Sequence, residues 1–194
     1  YIAMEYDNKT LSKEANLFCD WYTPGKLNSF KNINFKKKYK KEIKKLISKL
    51  NFKNDTFVHR DFHVSNLINF KNNIALIDSQ DALIGNKAYD LASLIDDVRI
   101  KTSNKLKNQI LNDYLKTLKK NEIKKFINDF EILSVLRNLK IIGIFTRLAV
   151  RDNKKKYTKM IPYAWKMINY RIKNNKEFKN LKSILENYFP KLIN

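Results

Sequence analysis

Apolar residues recur at helical spacing along most of this sequence, and this periodicity limits the folds that the chain can adopt. In residues 36–50 the apolar side chains fall on one helical face, and lysines fill the other face, which is predicted to be solvated. A second stripe covers residues 12–22 and ends at Thr23-Pro24-Gly25, a typical helix terminator. A third helix is predicted after Ser103, a typical N-cap residue, and two or three more between about 121 and 189.

One stretch, residues 56–78, breaks the helical rhythm. It contains three short apolar runs, and a turn signal separates the last two. The runs are Phe57-Val58, Leu67–Phe70 and Ile74–Ile77, and the turn signal is Lys71-Asn72-Asn73. This pattern predicts a small β-hairpin among helices, so the expected fold class is α+β and mostly helical. With 194 residues, 43% of them apolar, the chain is long enough for one domain, predicted to cover residues 1–194.

Scarce residue types exclude several kinds of site. The three glycines, Gly25, Gly85 and Gly143, lie too far apart for a G-x-G-x-x-G turn or a Walker phosphate loop. The single cysteine, Cys19, cannot form an internal disulfide, which favours a reducing, cytoplasmic location. No apolar run approaches the roughly 18 residues that a membrane-spanning helix needs, and no signal peptide is visible, so a membrane partner is not expected.

The formal net charge of +21 suggests nucleic acid or an anionic surface as a partner. A compositional explanation competes with this one, because the chain contains 34 Lys, 25 Asn and 22 Ile but only 6 Arg. The codons of an AT-rich genome favour the first three types, whereas arginine is the better residue for bidentate phosphate recognition. Nucleic acid is therefore an unlikely partner on charge alone.

Residues 59–66, His-Arg-Asp-Phe-His-Val-Ser-Asn, fit the H-R-D-x-x-x-x-N catalytic-loop pattern of kinases at every fixed position. Asp78 follows the predicted hairpin, where kinases place a metal-binding aspartate. Phosphoryl transfer needs an acidic group that orients the attacking hydroxyl, and oxygen ligands that hold Mg²⁺ against the triphosphate. Asp61 suits the first task, and Asn66 with Asp78 suits the second, so ATP and Mg²⁺ are the expected co-substrate and metal.

Two longer strings carry a family resemblance. HRDFHVSNLI and IDSQDALIGNKAYDLASLIDD resemble the aminoglycoside phosphotransferase and choline kinase superfamily, whose small-molecule kinases share the protein-kinase architecture. Within it, KEANLFCDWYTP and RNLKIIGIFTRLAVRD are most similar to the bacterial N-acetylmuramate/N-acetylglucosamine anomeric kinases. The likeness runs from about residue 12 to residue 190. It implies the C-terminal lobe of a protein-kinase-like fold, with a small amino-sugar acceptor.

The resemblance also implies roles for individual residues. Asp61 matches the catalytic base, and Asn66 and Asp78 match the magnesium ligands. Asp90 matches an aspartate that supports the catalytic loop from a helix start, although a helix N-cap is an equally ordinary role for it. His59 is expected to hold the loop in place, and Arg60 to pair with a neighbouring carboxylate as a structural support.

A protein substrate is not expected. Protein kinases have Asp-Phe-Gly where this chain has Asp78-Ser79-Gln80, and no Ala-Pro-Glu signature follows. The acceptor is therefore expected to be a small molecule.

The acceptor pocket is less well defined by the sequence. His63 suits either loop packing or substrate contact, and Asp81, Asp96 and Asp97 could accept hydrogen bonds from sugar hydroxyls. For Asp96 and Asp97 a solvent-facing position on a helix is the favoured alternative. The two tryptophans, Trp21 and Trp165, are predicted to be core residues rather than sugar-stacking surfaces.

Members of the family carry an N-terminal lobe that covers the ATP phosphates, and nothing before Glu14 matches it. The expectation is a missing N-terminal lobe, in the same or another polypeptide, and weak turnover by these residues alone. Two other functions stay open: an aminoglycoside or choline-type alcohol kinase, and a non-catalytic basic binding module.

Overall fold

A computed structural model describes residues 4–173 and 175–193 of the chain. The helices are α1 (Asn8–Ala15), α2 (Ser29–Ile47), α3 (Tyr89–Ile95), α4 (Asn104–Leu115), α5 (Lys120–Val150), α6 (Ile161–Ile172) and α7 (Lys179–Tyr188). The strands are β1 (Thr56–Val58), β2 (Leu67–Phe70), β3 (Asn73–Leu76) and β4 (Leu83–Gly85). The fold is therefore α+β and mostly helical, as the sequence predicts. None of the described helices is long and apolar enough to cross a membrane.

The described residues divide into two compact units. One unit contains residues 4–7 and 50–134, and the other contains residues 8–49 together with the chain from 135 onward. The single domain predicted for residues 1–194 stays a prediction.

All four strands belong to the first unit and form two antiparallel pairs. Strands β2 and β3 form the predicted hairpin, in which Phe70 pairs with Asn73 across a loop of two residues. These two residues, Lys71 and Asn72, have φ of 48° and 63°, which is the left-handed combination of a type I′ turn. Asn73 thus belongs to the strand rather than to the turn. Strand β4, which the sequence did not predict, pairs with β1 in a separate ribbon.

The core of the second unit is an aromatic cluster around Phe18. The Phe18 side chain is completely buried, and its ring centroid lies between 5.2 and 5.9 Å from those of five other aromatic residues. These are Tyr22, Phe35, Tyr39, Trp165 and Phe189. Trp165 is thus a core residue, as predicted. Trp21 is only half-buried, so its assignment to the core is wrong.

Helix α2 contributes the predicted apolar face to this core. Tyr39, Ile43 and Leu46 are fully buried, whereas the lysines of the predicted solvated face are exposed or half-buried. The helix begins at Ser29, earlier than predicted, because the Asn28 side chain caps it by accepting a hydrogen bond from the Lys31 backbone nitrogen at 2.9 Å.

The helix predicted for residues 12–22 is not continuous. α1 ends at Ala15, and a π-helical turn (Phe18–Tyr22) follows it. In the middle of α5, Gly143 lies against this segment. A Cβ atom at Gly143 would lie only 2.4 Å from the backbone carbon of Leu17. The close approach of the two backbones therefore requires glycine at this position.

We expect Gly143→Ala to destabilise the protein by about 1–3 kcal/mol, because the added methyl group meets backbone atoms that cannot rotate away. Gly25→Ala is the matched control, since a Cβ there meets no atom within 4 Å. Urea unfolding of both variants measures the difference. Equal stability of the Gly143 variant and the wild type would contradict this packing.

The only cysteine, Cys19, is completely buried in the second unit. Burial raises the pKa of its thiol from 9.0 to about 12, because desolvation penalises the thiolate. The unfolded thiol ionises above its ordinary pKa while the folded thiol keeps its proton. The contribution of this group to stability is therefore present below about pH 9 and is lost as the pH rises from 9 to 12.

The native protein should accordingly react very slowly with a thiol reagent at pH 8, since the nucleophilic thiolate is both inaccessible and scarce. Labelling in guanidinium chloride should be complete and serves as the positive control. Rapid labelling under native conditions would show that Cys19 is not packed as described.

Candidate functional site

A buried carboxylate on α5, Asp129, anchors the chain segments that flank the β1–β4 ribbon. Its side chain, which is 0% exposed, accepts hydrogen bonds from the backbone nitrogens of Asn51 at 2.9 Å and Phe52 at 3.0 Å, on the segment before β1. It also accepts one from Nδ2 of Asn86 at 2.7 Å, just after β4. Sequence reasoning missed this residue. The available signal was a carboxylate one turn before Leu133, on the apolar face of a helix.

Asp90, in the first turn of α3, holds the start of the 59–66 loop. Its Oδ2 accepts a hydrogen bond from the His59 backbone nitrogen at 2.7 Å, and its Oδ1 accepts one from the Arg60 backbone nitrogen at 3.1 Å. Arg60 has a φ of 70°, so the loop turns sharply at this point. The N-cap position of α3 is occupied by Ala88, not by Asp90.

The His59 side chain connects the loop to the end of the hairpin. Its Nε2 lies 2.9 Å from the Ile77 carbonyl oxygen, and the imidazole is buried. Because a carbonyl can only accept, Nε2 carries the proton. This hydrogen bond keeps the residue before Asp78 close to the end of β1.

The Arg60 side chain extends from the same turn. Its Nη1 donates to the Asp81 backbone carbonyl at 2.9 Å, and the guanidinium carbon lies 5.0 Å from the centre of the Tyr6 ring. The structure thus shows a backbone carbonyl and an aromatic ring as contacts of this side chain.

Asn66 lies between the two candidate aspartates. Its Nδ2 donates to the Asp61 backbone carbonyl at 2.9 Å, and its own backbone carbonyl accepts from the Ile77 nitrogen at 3.1 Å. Since the Asp61 carbonyl can only accept, the amide nitrogen must face it, and Oδ1 points elsewhere. The loop and hairpin therefore bring Asp61, Asn66 and Asp78 into one region.

Asp78 is exposed and adopts a φ of 70° directly after the hairpin. Its Oδ1 accepts a hydrogen bond from Nε2 of Gln80 at 2.7 Å. The Asp78 carboxylate and the amide oxygen of Asn66 are hard oxygen donors of the kind that Mg²⁺ prefers. No cluster of three or more His, Cys, Asp or Glu side chains that could hold a metal is found within residues 4–173 and 175–193. A single carboxylate and an amide are a normal protein contribution when phosphates supply the other ligands.

The candidate acceptor-pocket residues differ in their exposure to solvent. His63 is buried and Asp81 is exposed. Asp97 is 3% exposed, and its Oδ1 accepts hydrogen bonds from the Arg99 backbone nitrogen at 3.2 Å and from Nη1 at 3.0 Å.

Asp96 is completely buried and pairs with Nζ of Lys107 at 2.9 Å and with the Ser134 hydroxyl at 2.5 Å. The solvent-facing positions favoured for Asp96 and Asp97 are therefore wrong. Both residues follow directly after the end of α3, and Asp96 is covered by Lys107 of α4 and Ser134 of α5, which no local pattern reveals.

The sequence profile of the phosphotransferase enzyme family matches residues 3–123, well over half of the chain and all of the loop and hairpin described above. The chain belongs to this family. The kinase-like fold expected from the sequence is thereby confirmed, and this family member has the helical content and the small antiparallel sheets that fit a C-terminal lobe.

Curated relatives of this phosphotransferase family member include proteins from several bacteria that are described as N-acetylmuramate/N-acetylglucosamine kinase. The protein from Neisseria meningitidis serogroup B is 33% identical over 174 residues, which cover 86% of this chain and 51% of the relative. The protein from Pseudomonas aeruginosa is 28% identical over 186 residues, covering 93% of this chain and 55% of the relative. The chain thus spans about half the length of the curated relatives that it matches.

Replacing Asp90 by Asn should destabilise the protein by about 1.5–3 kcal/mol, because one of the two backbone donors would then face an NH₂ group instead of a carboxylate oxygen. Asp81→Asn removes the same charge from an exposed side chain and is the matched control. Thermal unfolding followed by circular dichroism compares them. If both variants unfold at the same temperature, the Asp90 hydrogen bonds do not hold the loop.

Proposed function

We propose that the chain is the catalytic and acceptor-binding C-terminal lobe of an ATP-dependent sugar kinase. In this proposal the kinase transfers the γ-phosphate to the anomeric hydroxyl of an N-acetylated amino sugar. The observation that carries the proposal is the loop from His59 to Asn66, whose backbone nitrogens at His59 and Arg60 are held by Asp90. The curated descriptions of the relatives support the sugar as acceptor class.

Asp61 is the proposed catalytic base. Asn66 donates a hydrogen bond to the Asp61 backbone carbonyl, and this contact restrains the backbone that carries the half-buried carboxylate. The carboxylate accepts a hydrogen bond from the acceptor hydroxyl and orients the oxygen toward phosphorus. As the new O–P bond forms and the bond to ADP breaks, the hydroxyl proton passes to Asp61. Positioning supplies most of the catalysis in this reaction class.

Asn66 and Asp78 are the proposed magnesium ligands. A bound Mg²⁺ would neutralise part of the negative charge on the phosphate oxygens. The amide oxygen of Asn66 adds a ligand without adding a second negative charge next to those oxygens. Gln80, which donates to one Asp78 oxygen at 2.7 Å, orients the carboxylate and leaves the other oxygen for the metal.

The other candidate residues fall into two groups. His59, Arg60 and Asp90 position the loop. His63, Asp81 and Asp97 are proposed acceptor contacts. Because the chain spans about half of its relatives, we further propose that an N-terminal lobe, in the same or another cytoplasmic polypeptide, supplies the remaining contacts to ATP.

The test is transfer of labelled γ-phosphate by the product of the complete reading frame, with N-acetylglucosamine, N-acetylmuramate, an aminoglycoside and choline as acceptors. We expect an amino sugar to be phosphorylated and Asp61→Asn to lower kcat by roughly 10²–10⁴-fold. Asp55→Asn, an exposed aspartate on the segment before the same loop, should keep wild-type turnover. Unchanged turnover in a folded Asp61 variant would overturn the mechanism.

The position of transfer is tested with a methyl glycoside, in which the anomeric oxygen is blocked. The proposal requires that the methyl glycoside of N-acetylglucosamine is not phosphorylated. Phosphorylation of the glycoside at the normal rate would move the reaction to another hydroxyl, and exclusive activity on choline or the aminoglycoside would change the acceptor class.

A further inference from the structure

A groove between α1 and α2 in the second unit is lined by residues that have no role in the proposed function. Its volume is about 620 Å³. Its lining includes Lys9, Lys13, Asp20, Lys40 and Lys44. We call it the α1–α2 groove. Its volume lies within the range of about 300–1,000 Å³ that is typical of small-molecule sites.

Four lysines line this groove, two from each helix. Lys9 and Lys13 are one turn apart on α1, and Lys40 and Lys44 are one turn apart on α2, so each helix presents a pair on the same face. The two helices are fixed against each other by Tyr39, whose buried hydroxyl donates to the Ala15 carbonyl at 2.8 Å. The packing of α1 against α2 therefore brings the two lysine pairs to the same groove.

The positive charge of the groove is not balanced by the protein. Asp20 is the only carboxylate among the lining residues, and it forms a salt bridge at 2.6 Å with Lys36, outside the groove. In the described part of the chain none of the four groove lysines forms a salt bridge. Their mutual repulsion lowers the stability of the empty groove, and an anion would relieve it.

We propose that the α1–α2 groove binds a small phosphorylated molecule whose phosphate contacts the four lysines. Lysine ammonium groups are common phosphate ligands. The site is independent of the proposed function, because none of its lining residues belongs to the loop or hairpin. A nucleic acid fits less well, since the charged contact extends over only one turn of each helix.

Calorimetric titration of the whole chain with inorganic pyrophosphate tests the cation site. The double variant Lys40→Gln/Lys44→Gln should bind about tenfold more weakly than the wild type, because two of the four phosphate contacts are lost. Lys41→Gln/Lys45→Gln removes the same charge from exposed positions of α2 outside the groove and should change the affinity by no more than about twofold. Neither pair should destabilise the fold, which thermal unfolding checks.

An equal loss of pyrophosphate binding in the two double variants would overturn the proposal, because the effect would then come from the overall charge of the chain. Absence of pyrophosphate binding to the wild type would overturn it as well, as would a single-stranded oligonucleotide that binds more tightly than pyrophosphate.

Discussion

The buried carboxylate of Asp129 is the contact on which the first unit depends. A fully desolvated carboxylate is stable only when donors surround it, and here the donors come from both sides of the β1–β4 ribbon. The segment before β1 and the segment after β4 are thereby fixed to one point on α5. The 59–66 loop begins directly after β1, so its position follows from this anchor. Loss of the carboxylate would leave several buried N–H groups without a partner.

Few charged side chains hold the 59–66 loop in place. In a chain with a net charge of +21, the loop is arranged by neutral backbone groups and by aspartates. Asp90 binds two loop nitrogens, and His59 binds a carbonyl at the end of the hairpin. The proposed mechanism assigns the carboxylates of Asp61 and Asp78 to the reaction, and neither of them accepts these loop hydrogen bonds. The many lysines lie outside this region and influence solubility more than the reaction.

The parts of the fold that the sequence predicts are those encoded by short-range spacing. The buried face of α2, the β2–β3 hairpin and the three helices after residue 120 each follow from a local period. The errors occur where distant segments decide the outcome. The continuous helix over residues 12–22 is interrupted where Gly143 of α5 meets the backbone of Leu17. Asp96 is buried because Lys107 and Ser134, 11 and 38 residues away along the chain, surround it.

The sequence by itself determined the chemical groups of the candidate site and their spacing, because Asp61, Asn66 and Asp78 lie within one loop and one hairpin. Only the tertiary structure decided how that loop is held. The hydrogen bonds of Asp90 join residues about 30 apart, and those of Asp129 join residues 43 to 78 apart. The same holds for the lysines of the α1–α2 groove, which look like ordinary solvated faces on each helix alone. A residue pattern specifies which face of an element is apolar, whereas packing decides which elements meet and which polar groups become partners.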